Sequence, residues 1–139
     1  MQIFVRTAEE IARLAHSKQF RRDGKTPYIT HPQAVAIWLT KMGWNDYAIA
    51  AGWLHDILED TDVKTDFLRT EGIPSRVIEV IELLTKQKDS DYFSYLVKLK
   101  KDPVAVQVKI ADMIANLSDQ PSYEQMNKYS KGLLFLLES

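Results

Sequence analysis

The stretch AIAAGWLHDILED, residues 48–60, decides the fold. Its first seven residues are apolar or glycine, and four ionisable residues follow within six positions: His55, Asp56, Glu59 and Asp60. An apolar run of this kind predicts a helix that crosses the protein core. Buried charges are costly unless something pairs with them. The polar end of this helix is therefore a candidate position for a bound cation.

The spacing of the four ionisable residues divides them into two pairs on a helix. His55 and Glu59 fall on one face, and Asp56 and Asp60 fall on another face about 100° away. One pair can hold a metal ion while the next turn presents carboxylates to a substrate or a water molecule. The alternative is an ordinary helix C-terminus whose charges lie in solvent, and the His-Asp dipeptide alone leaves both interpretations open.

The composition of the whole chain narrows the class of protein. The chain has 139 residues, five Gly, five Pro, no Cys and a net charge of −1. So few helix breakers favour an all-α protein, and the length predicts a single domain over residues 1–139. The near-neutral charge argues against a nucleic-acid polymer as the partner. Without cysteine there is no disulfide, thiol nucleophile or thiolate zinc site.

The sequence shows no targeting pattern. No run approaches the roughly 18 apolar residues of a membrane span, and the first residues lack the plan of a signal peptide. We therefore expect a cytoplasmic protein without membrane contact.

Helix-start and helix-stop signals predict an all-α bundle. Helices are expected at about 7–20, 32–43, 45–58, 74–84, 92–100, 104–117 and 122–137. The segment 62–72 is expected to be a loop with at most a short helical turn. A capping box at Thr7–Glu10 starts the first helix, and Ser122 can cap the last one. The apolar run Leu133–Leu137 either closes the core or contacts a second copy in a homo-oligomer.

Two further segments place polar residues where chemistry could use them. In VKIADMIANL, residues 108–117, Asp112 and Asn116 stand at i and i+4 of an otherwise apolar helix, with Lys109 one turn earlier. In RRDGKTPYITHP, residues 21–32, His31 stands at a helix start, after basic residues suited to phosphate contacts. The alternatives are a solvent-facing stripe for the first segment and a solvated basic loop for the second.

The order His, His-Asp, Asp across the three segments resembles the signature of the HD superfamily of metal-dependent phosphohydrolases. The segments RxGxxPYIxHP (22–32), HDxxEDT (55–61), LTK (84–86) and VKIADxxxNL (108–117) resemble the hydrolase domain of the RelA/SpoT family. This resemblance covers about residues 8–119 and implies a helical HD-domain bundle. It also implies removal of 3′-pyrophosphate from the alarmone guanosine 3′,5′-bis(diphosphate), ppGpp, the messenger of the stringent response. At this length the chain resembles the small stand-alone alarmone hydrolases.

The resemblance also implies roles for individual residues. It implies four metal ligands: His31, His55, Asp56 and Asp112. Two imidazoles and two carboxylates with open positions suit one Mn²⁺ ion per chain, with Fe²⁺ or Zn²⁺ as alternatives. Glu59 and Asp60 would orient or deprotonate the attacking water. It further implies four contacts to a small nucleotide substrate: Arg22, Lys25, Lys109 and Asn116.

Three positions depart from the family pattern and bear on the choice of nucleotide. Members of the family usually carry a basic residue where Met113 stands, an aromatic residue or His at Ala115, and Thr or Ser at Asp119. We expect the lost positive charge to weaken phosphate binding and the small Ala115 to widen the pocket. One alternative is therefore an HD phosphohydrolase for another phosphorylated nucleotide, such as the 2′-phosphate of NADPH. Another is a degenerate nucleotide-binding module.

Overall fold

The protein, described here over residues 2–138 by a computed structural model, is built from helices. Within this range there are nine α-helices and no strand, apart from an isolated antiparallel bridge between Phe20 and Pro27. The predicted all-α fold class is confirmed. The helices are α1 Ile3–Ala15, α2 Thr30–Lys41, α3 Asp46–Leu54, α4 Ile57–Asp60, α5 Thr65–Thr70, α6 Ser75–Leu84, α7 Tyr92–Leu99, α8 Pro103–Leu117 and α9 Tyr123–Leu137.

Helix α3 lies at the centre of the core, as its apolar run predicts. Every residue from 48 to 54 is buried, and the helix packs against α1, α2, α6 and α8. A Cβ atom on Gly52 would lie 2.9 Å from Leu39 Cδ1 and 3.4 Å from the Ala36 Cα. Glycine therefore allows α2 and α3 to approach closely, and this approach brings the start of α2 near the end of α3.

The prediction of one continuous helix over 45–58 is wrong near its C-terminal end. Helix α3 ends at Leu54, a turn carries His55 and Asp56, and α4 then begins at Ile57. The His55 Nδ1 donates to the Gly52 carbonyl at 2.8 Å, a carbonyl that would accept the Asp56 amide if the helix continued. The side chain of His55 thus helps to end the helix, and both residues lie at its end rather than along its side.

The first helix also differs from its prediction. Helix α1 begins at Ile3 and ends at Ala15. The Thr7 hydroxyl donates to the Ile3 carbonyl inside the helix at 3.3 Å, so the predicted capping box at Thr7–Glu10 is wrong. In the segment 62–72, expected to be a loop with at most a short helical turn, α5 forms six residues of helix.

The C-terminal helix begins as predicted, with a capping box between Ser122 and Gln125. Within its apolar run, Leu136 is buried in the core, whereas Leu134 and Leu137 are exposed. One face of α9 thus closes the core, and a contact of the other face with a second copy stays a prediction. No helix within residues 2–138 is long and apolar enough to cross a membrane.

Candidate metal centre

Three packed helices bring the predicted metal-ligating residues together. His31 lies in the first turn of α2, His55 and Asp56 lie in the turn after α3, and Asp112 lies in the middle of α8. One donor atom each from His31, His55 and Asp112 lies within 4.8 Å of the other two. Residues far apart in the sequence therefore form a single group because α2, α3 and α8 pack on one another.

The group is buried and its atoms are close. His31 Nε2 lies 2.8 Å from Asp112 Oδ1, and His55 Nε2 lies 3.3 Å from the same oxygen. Asp56 completes the group from the side, because its Oδ2 lies 3.1 Å from His55 Nε2 and 3.8 Å from His31 Nε2. His31, His55 and Asp112 expose at most 5 % of their surface. We call these four residues the His/Asp group.

One atom of the His/Asp group indicates that a metal ion fits there. Because the His55 Nδ1 faces a carbonyl oxygen, it carries the proton. The other ring nitrogen, Nε2, is buried and forms no hydrogen bond, although oxygens of Asp56 and Asp112 lie only 3.1 and 3.3 Å away. A neutral imidazole fixed in this way by a backbone carbonyl is the usual form of a metal-binding histidine. A divalent cation would satisfy this nitrogen and the surrounding carboxylates together.

The charges of the group balance one another. Burial alone would raise the pKa of Asp112, but Lys109, whose Nζ lies 2.8 Å from Oδ2, and the two imidazoles hold that pKa well below its usual value. Burial alone would lower the pKa of His55, yet the carboxylates of Asp56 and Asp112 raise it well above the usual value. A divalent ion bound here would therefore replace protons on imidazole.

A cavity of about 250 Å³ opens over the His/Asp group. Glu59 lines it, and its Oε1 accepts a hydrogen bond from the backbone amide of Lys86 at 2.7 Å. Burial raises the pKa of Glu59, with the neighbouring Asp56 adding to the effect. Asp60 does not line this central cavity; it lines another cavity, together with Gln19 and Glu59. The pKa of Asp60 is also raised, first by burial and then by Asp56.

Of the predicted substrate contacts, Lys109 and Asn116 line this cavity. Asn116 Nδ2 donates to Asp112 Oδ1 at 3.2 Å, so the side chain also touches the His/Asp group. Arg22 is exposed and lines a neighbouring cavity with Lys128. Lys25 is exposed on the loop and does not line the central cavity.

Sequence reasoning missed several residues that line the central cavity: Arg21, Tyr28, Lys86, Tyr92, Tyr95, Lys128 and Tyr129. Arg21 is the arginine of the loop that faces inward, and its guanidinium donates to Asn116 Oδ1 at 3.2 Å. The loop closes through the bridge between Phe20 and Pro27, and this pairing selects the first of the two adjacent arginines. The sequence could have pointed to Tyr28 as a residue of the site, because it lies only three residues before the candidate metal ligand His31.

The three departures from the family pattern lie in different surroundings. Met113 is fully buried against α9, where a Cβ atom on Gly132 would lie 2.6 Å from its Cε. Its side chain lies in the core and does not line the central cavity, and the expected weaker phosphate binding stays a prediction. Ala115 lines a second cavity of about 350 Å³. Asp119 forms an ion pair with Arg21 at 2.9 Å.

The protein is an all-α bundle with a buried His/Asp group beneath a cavity that several basic residues line. This combination is typical of helical domains with a site for a divalent metal ion. The family model described as the HD domain matches residues 8–131. The chain therefore belongs to the HD domain family.

Curated relatives of this chain are much longer proteins. A guanosine-3′,5′-bis(diphosphate) 3′-pyrophosphohydrolase of Aquifex aeolicus is 31% identical over 121 residues, which cover 81% of this chain and 17% of that relative. A GTP pyrophosphokinase of Streptomyces coelicolor is also 31% identical over 121 residues, covering 81% of this chain and 14% of that relative. The chain thus spans less than a fifth of either relative, and the two relatives carry different activities in their names.

A solved structure shows the same fold. It is that of a metazoan ortholog of SpoT described as hydrolysing ppGpp, and it matches with a TM-score of 0.79. The match covers 100% of this chain and 88% of the other at 21% sequence identity. At this identity the likeness establishes the arrangement of the helices.

Proposed function

We propose that this chain is a metal-dependent hydrolase that removes the 3′-pyrophosphate of guanosine 3′,5′-bis(diphosphate). The observation that carries the proposal is the buried Nε2 of His55, which forms no hydrogen bond and faces two carboxylates directly beneath a cavity with four basic side chains. A cation site next to basic side chains suits a phosphorylated substrate. The name of the Aquifex relative supports the choice of ppGpp.

The proposed ligands of the metal ion are His31, His55, Asp56 and Asp112. Nitrogen and carboxylate donors of this kind suit Mn²⁺, with Fe²⁺ and Zn²⁺ as weaker alternatives. Two of the donors are fixed by a neighbour, since the Gly52 carbonyl holds His55 and Lys109 holds Asp112. Such outer partners keep the ligands in one orientation before the ion arrives.

The bound metal ion would acidify a water molecule and polarise the phosphate that the water attacks. Glu59 serves as the base that orients this water and takes its proton, because it lines the cavity and burial raises its pKa. Asp60 assists from behind through its contact with Tyr28. The two adjacent acidic residues of α4 therefore have different roles: Glu59 acts on the water, and Asp60 supports from outside the central cavity.

The reaction cleaves one phosphorus–oxygen bond. The water oxygen bonds to the phosphorus that is attached to the ribose 3′-oxygen. The bond between this phosphorus and the 3′-oxygen breaks. The 3′-oxygen takes up a proton and becomes a hydroxyl, while pyrophosphate leaves with the water oxygen. Lys86, Lys109 and Lys128 line the cavity and offset the charge of the departing pyrophosphate. Arg21 and Asn116 contact the remainder of the nucleotide.

A second candidate substrate follows from the pair between Arg21 and Asp119. The carboxylate neutralises the arginine that faces the cavity, and this weakens the attraction for a second diphosphate. A nucleotide with a smaller charge at that end, such as NADPH losing its 2′-phosphate, suits this arrangement.

The test is pyrophosphate release from ppGpp in the presence of Mn²⁺, with the Asp56→Ala variant as the control. We expect release by the wild-type protein and none by the variant, with both proteins folded by circular dichroism. If the metal-loaded wild type releases no pyrophosphate from ppGpp, the proposal for this substrate fails. Phosphate release from NADPH, measured in parallel, then decides for the second candidate.

A further inference from the structure

Tyr28 contacts the His/Asp group from outside, and the proposed reaction involves it only through its contact with Asp60. Its backbone is tied on both sides, because its amide donates to the Gln19 carbonyl at 2.8 Å and its carbonyl accepts from the His31 amide at 2.9 Å. The second of these hydrogen bonds joins Tyr28 directly to His31, a member of the His/Asp group. The backbone therefore leaves the side chain little freedom to move relative to His31.

The ring of Tyr28 is also held by its neighbours. Its centroid lies 4.9 Å from that of the buried His16 ring and 6.0 Å from that of His31. The guanidinium of Arg21 lies 5.7 Å from the ring centroid, in a cation–π contact. These contacts on the ring fix where its hydroxyl points.

The hydroxyl points at two carboxylates. It donates to Asp56 Oδ2 at 2.5 Å and lies 3.2 Å from Asp60 Oδ2. The same Asp56 oxygen is the one that faces His55 Nε2 at 3.1 Å. A carboxylate oxygen has two lone pairs, so it can accept this hydrogen bond and still face the His/Asp group.

The Asp56 carboxylate needs such a partner more than the other acid of the group does. Asp112 is held by Lys109, His31 and Asn116, whereas Asp56 lies in a turn and receives its hydrogen bond from Tyr28. Without the hydroxyl, rotation of the Asp56 side chain would move Oδ2 away from the imidazoles.

We propose that Tyr28 is a positioning residue for the metal centre, whose hydroxyl holds Asp56 Oδ2 towards His31 and His55 and keeps Asp60 beside it. The proposal depends on the His/Asp group as a metal site and is independent of the nucleotide that is hydrolysed. Its measurable consequence is metal affinity in the absence of substrate.

The test compares two variants that each lose one tyrosine hydroxyl from the same cavity. Tyr28→Phe keeps the ring and removes the donor to Asp56. Tyr95→Phe removes a buried hydroxyl that donates at 2.7 Å to the Leu84 carbonyl instead. Metal-free protein is titrated with Mn²⁺ by calorimetry, and the visible absorption of the Co²⁺-loaded protein reports the ligand geometry.

For Tyr28→Phe we expect Mn²⁺ affinity to fall about 10- to 100-fold, the usual effect of losing an outer partner of a metal ligand. Its Co²⁺ spectrum should change, while its Tm without metal stays close to that of the wild type. Tyr95→Phe should lower Tm and leave Mn²⁺ affinity unchanged. Wild-type affinity and an unchanged Co²⁺ spectrum in Tyr28→Phe would overturn the proposal. Equal loss of affinity in both variants would overturn it too, since general loosening of the cavity would then be the cause.

Discussion

Two aspartates of the segment that forms α8 lie ten positions apart and have opposite tasks. Asp102 accepts hydrogen bonds from the Val104 and Ala105 amides at 2.9 and 3.2 Å and so caps the helix. Arg76 binds both of its oxygens, at 2.6 and 2.9 Å. Asp112 lies buried in the middle of α8, in contact with the imidazole of His31 and the ammonium of Lys109.

Both carboxylates have a lowered pKa, but they differ in whether the polar atoms around them form hydrogen bonds. The pKa of Asp102 is lowered chiefly by Arg76, against an opposing effect of burial, and both of its oxygens are paired with Arg76. Around Asp112 the opposing effect of burial is the largest influence, and basic neighbours outweigh it. The adjacent His55 Nε2 lies close to two carboxylates but forms no hydrogen bond. A lowered pKa therefore does not identify a functional carboxylate, whereas a buried cluster of imidazole and carboxylate donor atoms points to one.

The largest effect that separates the two aspartates is on turnover. Asp112→Asn should lower the hydrolysis rate by about 10³-fold or more, because loss of an outer partner alone already lowers activity about 10- to 100-fold. Asp102→Asn should hydrolyse at the wild-type rate. Both rates are measured well below each variant's Tm, since Asp112→Asn leaves Lys109 buried without its carboxylate. Equal rates in the two variants would remove the distinction.

An intermediate effect concerns stability. Asp102→Ala removes both the cap of α8 and the pair with Arg76, and it should lower the free energy of unfolding by about 1–2 kcal/mol. Asp102→Asn keeps a side chain that caps well, so it should lose less. Urea unfolding measures both changes. A loss in Asp102→Asn as large as that in Asp102→Ala would assign the stabilisation to the ion pair rather than to the cap.

The smallest effect is a difference in pH dependence. The raised pKa of His55 stabilises the metal-free protein fully below the ordinary imidazole pKa, and this contribution is lost as pH rises through the raised value. The metal ion requires the deprotonated ring, so stabilisation by metal should grow with pH. The lowered pKa of Asp102 acts elsewhere: its contribution is present above the ordinary carboxyl pKa and is lost as pH falls through the lowered value.

The measurement is Tm with and without Mn²⁺ between about pH 6 and pH 9, a range that starts near the ordinary imidazole pKa. The difference in Tm should increase across this range in the wild type and in Asp102→Asn alike. A difference that stays constant, or that decreases, would contradict the link between His55 and the metal.

The sequence predicts the main elements of the site because its signals are local. The Asp-Pro pair marks the start of α8, and the apolar run of 48–54 marks the buried helix, both as observed. The grouping of His31, His55 and Asp112 follows from the resemblance, and the structure places their donor atoms together. The assignment of the four ligands to a metal ion stays a prediction.

What the sequence does not reveal depends on contacts between distant residues. Helix α1 starts four residues earlier than its signal, where the Gln2 amide donates to Asp46 Oδ2 at 2.9 Å. The turn after α3 depends on how the His55 ring packs against the Gly52 carbonyl. The choice between Arg21 and Arg22 depends on the pairing of the loop ends. None of these contacts has a signature in the neighbouring residues.

The central claim is that the His/Asp group holds one divalent metal ion, and metal counting tests it most directly. Metal-free wild type, Asp112→Asn and Asp102→Asn are each titrated with Mn²⁺ by calorimetry, and bound metal is counted after gel filtration. We predict one tightly bound ion per chain in the wild type and in Asp102→Asn, and none in Asp112→Asn. No bound ion in the wild type, or an undiminished ion in Asp112→Asn, would contradict the claim.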